Sequence, residues 1–353
     1  MPFNISTIGA LIFSATCVVT AHANGLEHLV GRIDLPGVPL KSFDIGFAAG
    51  GLYALADRSN ASVDLVNTRD RRFVARLGGF EGAQSDDRGG PNGVLLIDGH
   101  QVWAGDGNSS AKIIDIAAHT VTSVSTGGVK RVDELAYDPR DHLVIAANNA
   151  DEPPFVTLIS SRPPYAVRSK ITLPMASDGI EQPVWDARSG MVYVAIPKLD
   201  NKPADGGVAV LDPRQGRLVR MDHVSKCMPA GLAAGPGNQL LVGCSDDAVS
   251  AGFSARTLLL NVDTDAVSRT FGQVGGSDEI WYDPASGHYV LAAVGNPGGP
   301  VVGIIDARRV RWIGNVPTGK GAHSIAGENG TIFVPVGAGS ANCPRGCIEV
   351  FGR

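Results

Sequence analysis

The chain has 353 residues, a formal net charge of −5 and 44% hydrophobic residues. This mildly acidic balance, without a run of five basic residues, argues against nucleic acid or an anionic membrane surface as a partner. The hydrophobic content is ample for one large core, and 45 glycines with 22 prolines favour tight turns over helices.

Residues 1–23 are predicted to be an export signal. An apolar stretch over residues 8–20 precedes Ala21, His22 and Ala23, which follow the small-x-small cleavage pattern. Because the stretch is too short to span a membrane comfortably, we expect cleavage after Ala23 rather than a retained anchor. The mature chain, residues 24–353, is then periplasmic or secreted, has no membrane span and forms a single domain.

From residue 45 onward, one apolar anchor recurs with gaps of 49, 41, 48, 49, 48 and 45 residues. A short turn and a second apolar run follow each anchor, and a third run often ends in an acid or Asn. Four short strands per unit at this period are typical of a β-propeller blade. The anchors are Ile45, Val94, Leu135, Pro183, Leu232, Ile280 and Ile325.

The two ends of the repeat predict how the ring closes. Seven anchors imply seven blades, but the 28 residues after Ile325 provide only three strands. The missing strand is present near the mature N-terminus, at residues 28–35. The sequence therefore predicts an all-β, seven-bladed β-propeller with four-stranded blades, closed by an N-terminal strand that leaves no unpaired inner edge.

Four cysteines remain after removal of the signal, an even number that suggests disulfides in an exported protein. Cys227 precedes the first strand of the fifth unit and Cys244 ends its second, so an antiparallel pair brings them together. Cys343 and Cys347 delimit a five-residue loop that can close on itself. A zinc site is the alternative, although the four thiols lack the two close pairs that such sites use.

The first strand of each blade lines the central channel, so the residues that open these strands converge on one mouth. Because side chains alternate along a strand, one of two sets faces inward, and each set holds three carboxylates. Two positions before the anchors stand Phe43, Asn92, Asp133, Glu181, Ala230, Asp278 and His323. One position before them stand Asp44, Gly93, Glu134, Gln182, Gly231, Glu279 and Ser324.

Several carboxylates around a narrow opening repel one another unless a cation compensates them. Oxygen ligands with one His suit Ca²⁺, Mg²⁺, Mn²⁺ or Zn²⁺, so we expect one divalent cation at this mouth. The alternative is that these groups hydrate the channel or cap the strand starts. No nucleotide or haem is expected, and the haem-attachment motif is absent from the sequence.

Two segments resemble known propeller families. AHSIA at residues 322–326, followed by IFVP at 332–335, looks like the first two strands of YVTN-type and NHL-like blades. GPNGV at residues 90–94 resembles an element of the gluconolactonase-like superfamily, whose Asn helps to hold a divalent cation; the opening Glu-Gly-Pro element of that superfamily is absent. This resemblance implies that Asn92 is a cation ligand, with Asp133, Glu181 and Asp278 in equivalent places.

The remaining site residues are assigned by position. His323, Glu134 and Glu279 are the expected acid–base groups. Loops that leave the second strands bring Arg58, Asn149 and Lys198 to the same face, and with Gln182 these are the expected substrate contacts. Arg58 and Lys198 either pair with an anionic substrate or neutralise the acids.

Two functions fit these features. The first is an exported propeller that binds a small molecule at the channel mouth as a metal-assisted lactone or ester hydrolase, or a lyase. The second is a non-catalytic binding or protein-interaction scaffold. In either case we expect a monomer.

Overall fold

The computed structural model describes residues 26–85 and 87–353. The predicted export signal lies outside the described residues. Among those described, no helix is long and apolar enough to cross a membrane. The strands form seven separate four-stranded antiparallel sheets, which confirms the predicted propeller.

The chain enters the ring through strand β1 (His28–Asp34) and then forms three complete blades. Blade 1 consists of β2 (Gly46–Ala49), β3 (Leu52–Asp57), β4 (Ser62–Asn67) and β5 (Arg72–Gly78). Blade 2 consists of β6 (Val94–Ile97), β7 (Gln101–Asp106), β8 (Ser110–Asp115) and β9 (Thr120–Ser125). Blade 3 consists of β10 (Leu135–Asp138), β11 (Leu143–Asn148), β12 (Phe155–Ser160) and β13 (Val167–Thr172).

Three further complete blades and a final three-strand unit follow. Blade 4 consists of β14 (Pro183–Trp185), β15 (Val192–Ile196), β16 (Asp205–Asp212) and β17 (Arg217–Ser225). Blade 5 consists of β18 (Pro229–Ala234), β19 (Gln239–Cys244), β20 (Thr257–Asn261) and β21 (Ala266–Phe271). Blade 6 consists of β22 (Glu279–Asp283), β23 (His288–Ala293), β24 (Val301–Asp306) and β25 (Arg311–Pro317). Blade 7 begins with β26 (Ala326–Glu328), β27 (Thr331–Val336) and β28 (Cys347–Gly352). Two short helices lie in loops, a 3-10 turn at Arg58–Asn60 and α1 at Asp246–Ser250.

Strand β1 completes blade 7, as the repeat count predicts. It pairs antiparallel with β28, from His28 opposite Gly352 to Asp34 opposite Cys347. Just before β1, buried Glu27 reaches across to His288 of blade 6, with 2.6 Å between the carboxylate and Nδ1. The N-terminal segment therefore holds both the last blade and its neighbour.

The core lies between blades rather than inside one layer. In the described part of the chain, seven apolar clusters occur, and each joins side chains of two neighbouring blades. Alternation along each strand explains this, because one face of a blade meets the preceding blade and the other face meets the next. The outermost strands are exposed, and β9 is polar along most of its length.

Both predicted disulfides are present. Cys227 is bonded to Cys244, which pairs with Pro229 at the start of β18. Cys343 is bonded to Cys347 in the loop between β27 and β28.

Two glycines let the first strands approach closely around the channel. A Cβ atom on Gly93 would lie 2.5 Å from the carbonyl oxygen of Asp133, and one on Gly231 would lie 2.7 Å from that of Asp278. Real Cβ atoms do not approach backbone so closely, so any larger residue would push neighbouring blades apart. These contacts bring the polar residues at the strand starts together.

Candidate functional site

The polar residues at the strand starts form two layers across the channel. The outer layer, here called the upper mouth, comes mainly from the set two positions before the anchors. Blade 1 departs from the pattern, because Phe43 is buried and stacks on His323 with 4.8 Å between ring centroids, which leaves Asp44 at the mouth. The upper mouth comprises Asp44, Arg58, Asn92, Arg131, Asp133, Glu181, Asp278 and His323.

Arg58 links blade 1 to blade 2 at this mouth. It begins the 3-10 turn, which Asp57 caps by accepting a hydrogen bond from the Asn60 amide at 3.0 Å. Its guanidinium forms an ion pair with Asp44, and its Nε donates to Asn92 Oδ1 at 2.8 Å. Asn92 Nδ2 in turn donates to the carbonyl oxygens of Gly89 and Val132 at 3.0 and 2.7 Å. The Asn92 amide is therefore already hydrogen-bonded at both ends.

Arg131, on the loop that enters the first strand of blade 3, forms a similar ion pair there. Its Nη2 lies 3.1 Å from Asp133 Oδ2, and its Nε lies 3.3 Å from Asn149 Oδ1. Burial raises the pKa of Asp133, while the Arg131 guanidinium opposes that rise. Asn149 thus orients Arg131 at the rim of the mouth.

His323 is held as an imidazolium ion. Its Nε2 lies 3.5 Å from Asp44 Oδ1, and its Nδ1 lies 2.9 Å from the carbonyl oxygen of Gly321. Burial alone would lower its pKa, but Asp44 and Asp278 raise the pKa to about 9. Conversely, burial of Asp44 is outweighed by Arg58 and His323, which hold the pKa of that carboxyl below its ordinary value.

Glu181 and Asp278 differ from the rest of the upper mouth. Among the described residues, neither carboxyl forms a hydrogen bond or an ion pair with another side chain. Burial, with repulsion from Asp44, raises the pKa of Asp278 to about 7. Burial, with repulsion from Asp133 and Asp278, raises the pKa of Glu181 well above its ordinary value. Asp278 can therefore exchange its proton near neutral pH, and Glu181 keeps its proton to a higher pH than an exposed glutamate does.

The charge balance differs from the sequence-based expectation of uncompensated acids. Arg58, Arg131 and His323 neutralise Asp44 and Asp133 from within the protein. Sequence counting placed Asp44 in the set one position before the anchors rather than at the upper mouth, and it missed Arg131. The signal for Arg131 was its place two residues before Asp133, on the loop that enters the strand.

The contacts of the upper mouth do not favour the predicted divalent cation, which stays a prediction. Two of the four expected ligands, Asn92 and Asp133, already accept hydrogen bonds from guanidinium groups. A hard cation beside Arg58 and Arg131 would also face two fixed positive charges. In the part of the chain that the structure describes, no group of three or more His, Cys, Asp or Glu side chains is arranged to hold a metal ion.

The inner layer consists of residues one position before the anchors, and it ties the first strands together. Gln182 Oε1 accepts from the Leu232 amide at 2.6 Å and from the Ile280 amide at 3.3 Å. Its Nε2 donates to the Glu279 carboxylate. Ser324 Oγ accepts from the Gly46 amide at 2.8 Å. The structure therefore places Gln182 in this layer, below the mouth where substrate contacts were expected.

Glu134 and Glu279 face each other in the inner layer. Burial raises the pKa of both carboxyls, and repulsion from Glu279 raises that of Glu134 further. Two buried carboxyls that repel each other do not both ionise readily, so they act as a coupled acid pair rather than as two separate carboxylates. Both groups lie behind the upper mouth, and their predicted acid–base role stays a prediction.

Lys198 lies on the same face but is engaged elsewhere. Its Nζ is 2.7 Å from Asp178 Oδ2, and both side chains are partly exposed. Of the two cations predicted at substrate-contact positions, only Arg58 contacts other groups of the upper mouth.

Comparisons with known proteins support the architecture. No family model and no curated protein sequence matches the chain. Among solved structures, 1464 chains match, so the likeness identifies a widespread fold. One of them, from "Crystal Structure of Mitotic Checkpoint Complex", is similar over 99% of both chains, with a TM-score of 0.71 and 13% identity. The resemblance to YVTN, NHL and gluconolactonase-like proteins is supported only at the level of the fold: the chain is similar to seven-bladed β-propellers.

Proposed function

We propose that this protein is an exported β-propeller that binds a small polar molecule at the upper mouth through Glu181 and Asp278. One observation carries the proposal. The arginines, Asp44, Asp133 and Asn92 are held by one another, whereas these two carboxyls have no partner among the described residues. Partly buried groups without a partner are free to bind a ligand. The two disulfides support export, because such bonds persist in oxidising compartments.

The chemistry of these groups indicates what they would bind. A carboxyl whose pKa is raised by burial keeps its proton to a higher pH, so it both donates and accepts hydrogen bonds, which suits hydroxyl and amine groups. An anion would gain little, because the cationic groups of the mouth already face Asp44 and Asp133. The proposed ligand is therefore a small molecule with several hydroxyl groups or an amine.

The same geometry supports ester or lactone hydrolysis without a metal. Asp278 would accept a proton from water while the water oxygen attacks the carbonyl carbon, and that proton would then pass to the leaving alkoxide. The imidazolium of His323 would donate a hydrogen bond to the developing oxyanion. If only binding occurs, the non-catalytic alternative holds and the ligand is released unchanged.

Calorimetric titration tests the proposal. The probes are glucono-1,5-lactone, the sugar glucose, which lacks the lactone carbonyl, and the amino sugar glucosamine. We expect Glu181→Gln and Asp278→Asn each to weaken binding by about tenfold, which is the loss of one hydrogen bond to a charged group. The matched control is Asp263→Asn, which alters an exposed acid paired with Arg188 and should leave affinity unchanged. Lack of binding by the unaltered protein, or affinity in both mouth variants equal to that of the unaltered protein, would overturn the proposal. If the unaltered protein releases acid from the lactone and Asp278→Asn does not, the protein is an enzyme. If the unaltered protein releases no acid, it only binds its ligand.

A further inference from the structure

On the other side of the inner layer, the channel widens into a cavity of about 370 Å³. We call it the lower cavity. Glu134, Gln182 and Glu279 form its inner end, and residues at the ends of the first strands, such as Trp185 and Ala234, line its outer end. The cavity therefore opens on the face opposite the upper mouth. Its size suits a small organic molecule.

The walls of the lower cavity are rich in aromatic rings. Five of the chain's 21 aromatic residues line it, although aromatics make up only 6% of the sequence. Four of the five stand two positions after a blade anchor, so the repeat itself brings them together. These four are Phe47, Tyr137, Trp185 and Tyr282. The fifth is Trp281, which Phe47 contacts edge to face with 5.3 Å between ring centroids.

Three buried polar atoms of this cavity have no partner among the described residues. They are the indole nitrogens of Trp185 and Trp281 and one carboxyl oxygen of Glu279 that receives no N–H or hydroxyl hydrogen bond. The two tryptophans outside the cavity are satisfied, because Trp103 donates to Gln101 at 3.2 Å and Trp312 to Asn315 at 3.0 Å. Unpaired buried donors are costly, and here both belong to residues that line one cavity.

We propose that the lower cavity binds a small organic ammonium ion with an apolar body, as a second site separate from the upper mouth. The ammonium group would contact the Glu134–Glu279 pair at the inner end. The body would lie among the rings, which attract cations as well as apolar groups. Acceptor atoms of the ligand would receive the indole hydrogens of Trp185 and Trp281.

Charge supports a cation over other ligands. The described residues that line the cavity include no Lys, Arg or His, so no basic side chain faces the acid pair from below. Glu279 is 2% exposed, and its carboxyl receives one side-chain amide hydrogen bond from Gln182. This acid pair would repel a carboxylate ligand, and an uncharged ligand would leave the negative charge of the pair unbalanced.

Tryptophan fluorescence and calorimetry on the mature protein test this proposal with three probes of similar shape. They are 2-phenylethylammonium, neutral 2-phenylethanol and anionic 3-phenylpropanoate. We expect saturable binding of the ammonium with a change in emission, at least tenfold weaker binding of the alcohol, and none of the carboxylate. Trp281→Phe should reduce the emission change, whereas Trp312→Phe should not.

Two variants test the site by different means. Glu279→Gln should weaken ammonium binding at least tenfold and leave alcohol binding within twofold, while Glu349→Gln, at a buried glutamate of blade 7, serves as the matched control. Ala234→Phe, which fills the outer end away from the inner layer, should abolish binding of both probes in a folded protein.

The outcomes also separate the two sites. Glu181→Gln should impair the upper mouth and leave ammonium binding in the lower cavity within twofold. The proposal is overturned if the unaltered protein binds none of the probes, if it binds ammonium and carboxylate equally, or if ammonium binding survives Glu279→Gln and Ala234→Phe.

Discussion

The two ends of the central channel are built from the same seven strands but have opposite chemistry. The upper mouth is a network of charges, in which Arg58 and Arg131 each hold a carboxylate. The lower cavity is lined mainly by apolar and aromatic residues, with one acid pair at its inner end. A shift of three or four positions along each first strand separates them. A propeller can thus present two unrelated binding surfaces on one axis, with the inner layer as the boundary.

Both ends depend on an intact ring, so breaking the ring should have the largest effect. Deletion of residues 25–36 removes β1 and Glu27, which exposes the edge of β28 and leaves His288 without its carboxylate partner. We expect the truncated protein to lose cooperative unfolding or to melt at least about 10 °C lower. A loss of several kcal/mol in the free energy of unfolding causes a shift of this order in a domain of this size. Differential scanning calorimetry against the chain that begins at residue 24 provides the measurement. Equal melting temperatures would contradict the closure by β1.

The charge network of the upper mouth should be the next most sensitive element. Arg58→Gln leaves Asp44 and Asn92 without their donor in a site where the Arg58 and Asp44 side chains are only 15% and 13% exposed. We expect a loss of about 2–3 kcal/mol in the free energy of unfolding, measured by urea denaturation. The matched control is Arg188→Gln, whose ion pair with Asp263 is far more exposed and should contribute much less to the free energy of unfolding. If both variants lose the same amount, the network is not a stabilising element.

The pH dependence of stability should originate at the upper mouth. The folded pKa of Asp278 is raised to about 7 from 3.8, so folding favours its protonated form and stability falls as pH rises between about 4 and 7. The folded pKa of His323 is raised to about 9 from 6.5, so its stabilising contribution is present below pH 6.5 and is lost as pH rises through 9.

Asp278→Asn separates these two contributions. We expect the free energy of unfolding of the variant, relative to that of the unaltered protein, to be about 1–2 kcal/mol higher at pH 7.5 than at pH 4. This figure allows for solvent screening at this partly exposed position. The stability lost between pH 7.5 and 9.5 should become smaller but persist, because Asp44 as well as Asp278 raises the pKa of His323. Thermal unfolding over this range measures both, and a variant whose pH profile matches that of the unaltered protein would refute the assignment to Asp278.

The smallest effect is expected at the rim of the same face. Lys198→Ala removes a partly exposed ion pair with Asp178 and should change the free energy of unfolding by less than about 0.5 kcal/mol. Ligand affinity at the upper mouth should also stay the same, because Lys198 contacts none of its residues. A tenfold loss of affinity in the calorimetric titration would place Lys198 back in the site.

The repeat predicted the fold in detail because the same pattern of an anchor and further apolar runs recurs in each of the seven units. Seven anchors and a three-strand remainder suffice to infer the closure by β1, and the pairing of Cys227 with Cys244 follows from their strands. The inward direction of individual side chains could not be inferred in the same way. The register of blade 1 places Asp44 rather than Phe43 at the mouth, and that depends on the stacking of Phe43 against His323.

The candidate sites were only partly predictable for a related reason. Counting back from the anchors found the carboxylates of the upper mouth, but it missed Arg131, which enters from the preceding loop and neutralises Asp133. The aromatic residues two positions after four of the anchors were visible in the sequence. Their meaning depends on the channel being wide enough below the inner layer to leave a cavity, and side-chain packing rather than periodicity decides that.

The central claim is that one channel holds two chemically distinct sites, and carboxyl carbon NMR tests it most directly. The mature protein, labelled with carbon-13 at Asp and Glu side chains, would be titrated in turn with the sugar-derived ligand that calorimetry identifies and with 2-phenylethylammonium. We predict that the sugar-derived ligand shifts the Glu181 and Asp278 resonances, whereas the ammonium shifts those of Glu134 and Glu279. Shifts of the same carboxyls by both ligands, or of none by either, would contradict the account.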